Sequence, residues 1–362
     1  MTPPRVLEVI TPSGIGGAEV FVTEFCRRMR LAALEAELFC PAGRPLVGYA
    51  ASRGITCVGW KTRGKLDPLT VVRLAKLVRR GRFDVVHTHL STASLLGAIA
   101  ARLSGVPSVA HVHGLNTATC FRLSTRVIAV SSAVRDHLCA QGLGEGKISV
   151  VHNGVDTESF RPIPSADAKR SLGLDTDGVM LGVFGRLSEE KGQRVALEAM
   201  FLLTVDRLDA RLTIVGQGPD LDSLRVSARA LGIEDRVEFV GFLDDVRGWM
   251  SACDVVVAPS LREGLGLAAI EAMALERPVV ASSAGGLKEV VEDGTTGFLV
   301  APNDPRALAD RLSLLIDRPD LRDRMGRLGR LRVLEHFEIE KQMGKVIEHL
   351  RIAAEPGAPH GK

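Results

Sequence analysis

Two carboxylates eight positions apart, Glu263 and Glu271, frame a glycine-containing turn that reads Arg262-Glu263-Gly264-Leu265-Gly266-Leu267. The apolar run before it, Asp254 to Ala258, ends at Pro259 and has the character of a buried strand. From Leu265 onward Leu, Ala, Ile and Met recur at helical spacing, which predicts a helix starting near Gly264 and running over 265–275. A strand, a glycine turn and a helix start form an anion site, because the first backbone N–H groups of a helix have no intrahelical acceptor. Gly264 and Gly266 lack a Cβ and let a phosphate or hydroxyl approach the main chain, with Leu265 and Leu267 supplying amides between them. A continuous helix would set the two carboxylates roughly 12 Å apart along its axis. That arrangement suits an elongated ligand with hydroxyls at both ends and phosphate in the middle, the outline of a nucleotide-sugar.

Other residues could act on such a ligand. Arg186 and Lys191 lie in Gly185-Arg186-Leu187-Ser188-Glu189-Glu190-Lys191-Gly192, directly after an apolar strand. Arginine offers phosphate a planar fork and lysine a compact charge. Fixed cations at a diphosphate leaving group lower the barrier to its departure without a metal. His113 closes the apolar strand Val109–Val112 and precedes Gly114; His111, His87 and His89 alternate onto the same face. Gly16 and Gly17 sit in an open turn between the first strand and first helix. The dinucleotide spacing G-x-G-x-x-G is not met there, and the second strand lacks a terminal acid. Asp220-Leu221-Asp222 reads as a helix start whose acids cap amides, and Asn153 and Asp156 read as turn formers.

These residues must be held by alternating strands and helices. The first half predicts strands at 5–10, 36–40, 55–58, 84–88, 108–112, 126–130 and 148–151, with helices at 17–31, 45–53, 68–81, 91–104 and 132–140. The second predicts strands at 179–184, 211–215, 236–240, 254–258, 278–281 and 297–300. Its helices fall at 192–204, 219–231, 244–251, 265–275, 286–291, 304–316 and 320–335. The expected class is α/β, two doubly wound Rossmann-like domains with parallel sheets facing a cleft. Phe160 to Ser165, with two prolines, is the expected linker. It separates a domain over 1–160, completed by a helix at 338–352, from one over 161–337, and 353–362 is an expected disordered tail.

Composition narrows the class further. With 46% hydrophobic and 25% charged residues the chain suits a globular protein, and neither a membrane-spanning run nor a secretory leader is expected. Six scattered cysteines show no zinc spacing and suit a reducing, cytoplasmic setting. The net charge of +3 hides an asymmetry: residues 1–165 carry 20 Lys/Arg against 11 Asp/Glu, and residues 166–362 carry 26 against 32. The basic half is expected to meet something anionic.

Several stretches together resemble the group 1 (family 4) retaining glycosyltransferases of the GT-B fold, whose mark is Glu-x7-Glu. Glu263 and Glu271 have that spacing, and Gly185–Gly192 matches the family's basic turn. Val151-His152-Asn153-Gly154-Val155-Asp156, Gly285-Gly286-Leu287-Lys288-Glu289 and Gly16-Gly17-Ala18-Glu19 are similar to further segments in the same order. The resemblance implies a metal-independent hexosyltransferase, with no cofactor, that moves a hexose or N-acetylhexosamine from a nucleoside-diphosphate sugar, UDP expected. Arg186 and Lys191 would contact the donor phosphates, Glu263 the transferred sugar, Glu271 the ribose and His113 the sugar near its anomeric centre. Phe242 would bring its backbone to the base or else serve the core. Same-face attack is the mechanism this implies.

The acceptor would be a saccharide or a lipid-linked molecule in bacterial polysaccharide, lipopolysaccharide or glycolipid synthesis. Peripheral contact with an anionic membrane would come through Arg27, Arg28 and Arg30, or through Arg73, Lys76 and Arg80. Only a short loop separates His113 from the strand at 126–130, where the family often has a longer acceptor-binding segment. No nucleic-acid partner is expected, and the sequence is silent on oligomeric state. Two other readings are a non-catalytic nucleotide-sugar binding protein and a nucleotide-sugar epimerase.

Overall fold

The computed structural model describes residues 4–32, 34–64, 67–205 and 209–355. The chain divides into two compact units, Met1–Asn153 with Lys341–Lys362, and Gly154–Glu340.

In the first unit the order is β1 (Val6–Ile10), α1 (Gly17–Leu31), β2 (Ala36–Phe39), α2 (Pro45–Ala51), β3 (Cys57–Val58), α3 (Pro68–Gly81), β4 (Val85–His89), α4 (Ser91–Ser104), β5 (Ser108–Val112), β6 (Arg126–Ala129), α5 (Ser132–Ala140) and β7 (Ile148–Val150). The strands form one parallel sheet in the order β3-β2-β1-β4-β5-β6-β7. Every residue of β1, β4 and β5 is buried, as expected of central strands covered on both faces. The short loop after His113 holds one 3₁₀ turn, Ala118–Phe121, pinned by the fully buried Phe121.

The second unit runs through α6 (Ser165–Ser171), β8 (Val179–Phe184), α7 (Gln193–Val205), β9 (Ala210–Val215), α8 (Leu221–Ala230), β10 (Val237–Gly241), α9 (Arg247–Ala252), β11 (Val255–Ala258), α10 (Leu267–Ala274), β12 (Val279–Ser282), α11 (Leu287–Val290), β13 (Gly297–Val300), α12 (Pro305–Asp317) and α13 (Pro319–His336). The last helix, α14 (Ile339–Ala354), starts in this unit and returns to the first. The sheet order is β10-β9-β8-β11-β12-β13, again parallel. One apolar core joins α7, α12 and the strands through Leu197, Met200, Leu203, Leu212, Ile214 and Leu312.

Both sheets reverse strand order once, between β1 and β4 and between β8 and β11. Ligands of open parallel sheets bind outside the carboxyl ends of the strands at such a reversal. The loop with Gly16 and Gly17 follows β1 and His89 ends β4 at the first reversal; the loops with Arg186 and Glu263 leave the second.

Three expectations need correcting. Helix α6 begins directly after Pro164, at the end of the segment expected to be a linker. Ser165 and the buried Lys169 of α6 bind Asp254 at 3.0 and 2.7 Å, and Asp254 also accepts the Met180 N–H at 2.8 Å, so this segment is built into the second unit. Helix α10 starts at Leu267, because Gly266 adopts a left-handed conformation (φ 100°) ahead of it. Residues 263–266 are therefore a turn, and the 1.5 Å helical rise does not apply between Glu263 and Glu271. Ala353 and Ala354 belong to α14, while 356–362 of the expected tail lie outside the described residues.

Candidate active site

In the second unit, local close packing joins the basic turn to the acidic one. Gly192 is left-handed, and a Cβ there would collide with the Pro259 carbonyl. The Leu261 and Arg262 N–H groups donate to the Glu190 carbonyl at 2.8 and 3.1 Å. This brings Lys191 Nζ to 2.6 Å from Glu263 Oε2, an ion pair in which the Glu263 side chain is 13% exposed. Ser260 Oγ donates to the same oxygen at 2.9 Å, and the Gly264 N–H donates to Oε1 at 3.2 Å. A carboxylate has about four acceptor positions, so one on Oε1 remains for a ligand hydroxyl. Glu263 is thus held in place by three partners. Lys191 keeps donor capacity for a phosphate oxygen, since an ammonium has three N–H bonds.

Behind the turn stand Gly285 and Gly286. A Cβ on Gly285 would strike the Glu263 carbonyl, and one on Gly286 the Gly264 carbonyl. The Gly286 N–H donates to the Glu263 carbonyl at 3.3 Å. The Gly-Gly pair therefore seats the 263–265 backbone. Leu265 is buried at 3% exposure and anchors the turn in the core.

Arg186 follows β8 and is exposed; its guanidinium forms no ion pair among the described residues, while its carbonyl accepts from Gln193 Nε2 at 2.8 Å. Glu271 sits five residues into α10, half-buried, and burial alone pushes its carboxyl up to about 8. Its side chain meets no donor or cation among the described residues. Phe242 follows Gly241 (φ 90°) and is 44% exposed, which excludes the core-packing alternative. Asp220 is the N-cap of α8, yet its side chain caps no amide; only its placement at a helix start matches expectation.

In the first unit, Gly16 is the N-cap of α1, and its N–H donates to Glu19 Oε2 at 3.0 Å. The loop from Ser13 to Gly17 is largely open to solvent. His113 is half-buried just beyond β5. Its Nε2 lies 3.0 Å from His89 Nδ1, and its Nδ1 lies 3.4 Å from Asn153 Nδ2. Asn153, which the sequence marks only as a turn former, is buried against this ring. Sequence reasoning also missed Glu8. It is fully buried in β1, with Oε1 2.9 Å from His87 Nδ1 and Oε2 2.6 Å from His89 Nε2. The available signal was a carboxylate inside an apolar strand, which requires a partner.

Among the described residues, ring nitrogens of His87, His89 and His111 lie within 4.8 Å of one another. Both nitrogens of His89 already hold other partners, so coordination by all three would break either its Glu8 or its His113 bond. Of the basic clusters, Arg27 and Arg28 share the Glu24 carboxylate at 2.5–2.7 Å and Arg30 donates to the Gly54 carbonyl, so three cations there meet one carboxylate in these contacts. The α3 face keeps Arg73, Lys76 and Arg80 exposed beside Leu69 and Val72. No described helix is long and apolar enough to cross a membrane.

Comparison with known proteins places this geometry. The family model "Glycosyltransferase Family 4" matches residues 15–159, and "Glycosyl transferases group 1" matches 165–332. A D-inositol 3-phosphate glycosyltransferase of Streptomyces scabiei is 33% identical, over 86% of this chain and 81% of that protein. The chain is a group 1, family 4 glycosyltransferase. Another relative of this glycosyltransferase is an Escherichia coli UDP-Gal:alpha-D-GlcNAc-diphosphoundecaprenol alpha-1,3-galactosyltransferase, 32% identical over 77% of this chain and 78% of that protein. Anabaena HepE, solved with UDP and glucose, superposes with a TM-score of 0.87 at 25% identity, covering 96% and 99% of the two chains. The glycosyltransferase therefore has the GT-B fold, with a Rossmann-like parallel sheet in each unit.

Proposed function

We propose that this glycosyltransferase moves a hexose or N-acetylhexosamine from a UDP-sugar, with retention of configuration and without a metal, to a saccharide or lipid-linked acceptor. The observation that carries the reading is the Lys191–Glu263 pair, set at the carboxyl ends of β8 and β11 where the second sheet reverses. Glu263 offers its remaining acceptor position to a hydroxyl of the transferred sugar. Lys191 and Arg186 stabilise charge that grows on the departing diphosphate, which is where fixed cations lower a barrier most. Glu271 takes the ribose hydroxyls and the Phe242 backbone the base. His113, with the Gly16-Gly17 loop, belongs to the sugar end of the donor. The leaving phosphate accepts the acceptor's proton in a same-face attack.

UDP as the nucleotude carrier is supported by HepE, solved with UDP-glucose, and by the galactosyltransferase relative, whose name specifies UDP-Gal. The acceptors in the two relatives' names, inositol 3-phosphate and a diphosphoundecaprenol, both carry phosphate. A phosphorylated acceptor suits the basic first half of this chain. The exposed α3 face would bring a lipid-linked one to a cytoplasmic membrane surface. The test is hydrolysis of a panel of UDP-, GDP- and ADP-sugars in EDTA, comparing wild type with Glu263→Ala and Lys191→Ala. Slow cleavage of a UDP-sugar, unaffected by EDTA and reduced about a hundredfold or more in each variant, is the expected result. Turnover that requires a divalent metal, or a Lys191→Ala protein as active as wild type, overturns the reading.

A further inference from the structure

Outside the donor-binding turns, the first unit holds a group of titratable side chains with no ordinary reason to be there. Glu8, His87, His89 and His111 are fully buried on one face of β1, β4 and β5. The sheet register pairs Glu8 with His87 and His89 with His111. Phe21 and Phe25 of α1 cover them, with ring centroids 4.7 Å from His111 and 5.7 Å from His87. A buried carboxylate is strongly unfavourable unless it is hydrogen-bonded, and apolar side chains would fill this space more simply.

The bonds run in one direction. Glu8 Oε2 meets His89 Nε2 at 2.6 Å, a length typical of a charge-assisted bond. His89 Nδ1 meets His113 Nε2 at 3.0 Å, and His113 Nδ1 meets the Asn153 amide at 3.4 Å. An ionised carboxylate only accepts, so His89 Nε2 carries its proton toward Glu8. A neutral His89 then has a bare Nδ1, which requires His113 to donate from Nε2. His113 is left with a bare Nδ1, an acceptor on its Asn153 side. Asn153 must answer with its NH₂, and its Oδ1 has no partner among the described residues. The tautomers along the chain are thus fixed from the carboxylate end.

We propose that Glu8 and His89 are positioning residues for the transfer reaction: a buried relay that locks His113 in its Nε2–H tautomer and presents Nδ1 as an acceptor to a donor-sugar hydroxyl. The long Asn153 contact is the one such a hydroxyl would replace. The surroundings keep the relay in this state. Burial and the His87 charge push His89 down to about 4, against the pull of Glu8, and burial with neighbouring imidazoles holds His113 well below the usual histidine range. Burial also pushes Glu8 up, yet the His87 charge and the hydrogen bonds from His87 and His89 outweigh it and hold the carboxyl at about 2. The other titratable groups facing the chain are His111 and His87, the Cys26 thiol of α1, raised by burial and by Glu8, and His349 of α14, which acts on His111. None of them interposes between Glu8 and His113. The opposite state, with His113 protonated at Nδ1, would need a buried imidazolium at His89 or a protonated Glu8.

The kinetic half of this proposal rests on His113 lying at the donor sugar, and the spectroscopic half does not. In ¹⁵N-histidine-labelled protein, the His113 resonances, assigned through His113→Asn, should report the Nε2–H tautomer in wild type. In Glu8→Gln the amide can donate to His89 Nε2, which reverses the chain and moves His113 toward the Nδ1–H tautomer. His89→Gln cuts the chain and should give a mixture, and it serves if Glu8→Gln does not fold. His87→Gln disturbs the same core but not the path to His113, so it should leave the tautomer unchanged. With UDP-glucose or UDP-galactose, Glu8→Gln should lower kcat about ten- to a hundredfold, as loss of an outer partner of a functional histidine does elsewhere. KM should stay within about threefold, because a misdirected Nδ1 acts mainly in the transition state. A wild-type His113 in the Nδ1–H form, or a tautomer insensitive to Glu8→Gln and His89→Gln, overturns the relay. If the tautomers behave as expected but His113→Ala turns over like wild type, the placement of His113 at the donor fails instead.

Discussion

Burial pushes the Glu271 carboxyl up to about 8, so at neutral pH most of it is protonated in the free protein. Ribose hydroxyls that donate to it would favour the ionised form and lower its pKa. UDP binding should then release protons near pH 7, and affinity should rise with pH up to about 8 before levelling. Calorimetry in two buffers of different ionisation enthalpy measures the release directly; Glu271→Gln should abolish both effects. Constant UDP affinity between pH 6 and 8.5 would remove Glu271 from the ribose. At this scale the proposed donor-side residues Arg186, Lys191, Glu263 and Glu271 can be picked out of the sequence because they lie in compact local patterns. It hides the partners of Glu8, which lie on β4 some eighty residues away and are identified only once the β1–β4 register is known. Asn153 is hidden for the same reason.

The helices that open or close with strong local signals are readable to the residue. Helix α1 after Gly16, α3 after Asp67 with Pro68 as its first residue, and α4 before the left-handed Gly105 have the bounds their sequence implies. Two others show how local signals mislead. Pro162 and Pro164 suggest a linker, yet Pro164 is the residue after which α6 starts, and α6 is fixed by a contact with Asp254 that no local pattern reveals. Leu265 has the spacing of a helical residue but is buried in the turn, since only Gly266 tolerates the φ that separates the two. Both features can be tested in the folded protein. Asp254→Ala strands the Lys169 ammonium, whose side chain is 4% exposed, and should destabilise the second unit by about 3–5 kcal/mol in urea unfolding. Gly286→Ala should both destabilise the second unit and reduce donor hydrolysis, because its Cβ would overlap the Gly264 carbonyl and the Leu265 Cα and displace the backbone that follows Glu263. Wild-type stability in Asp254→Ala, or wild-type turnover in Gly286→Ala, would contradict these assignments.

At the scale of the whole chain, the alternation of strands and helices conveys two parallel sheets, and the strongly apolar strands convey that both faces are covered. Strand order is less visible, since the reversals between β1 and β4 and between β8 and β11 depend on which neighbours pair. Connectivity has a consequence of its own. Because α14 returns to the first unit, that unit is discontinuous, and the second is in effect a long insertion between β7 and α14. During synthesis the second unit has all its segments once residue 340 has left the ribosome, whereas the first waits for the final helix. The half made first is therefore the half finished last. Nascent chains stalled with residue 340 just outside the exit tunnel should already protect the second unit from protease, while the first gains its full resistance only when residues 341–354 emerge.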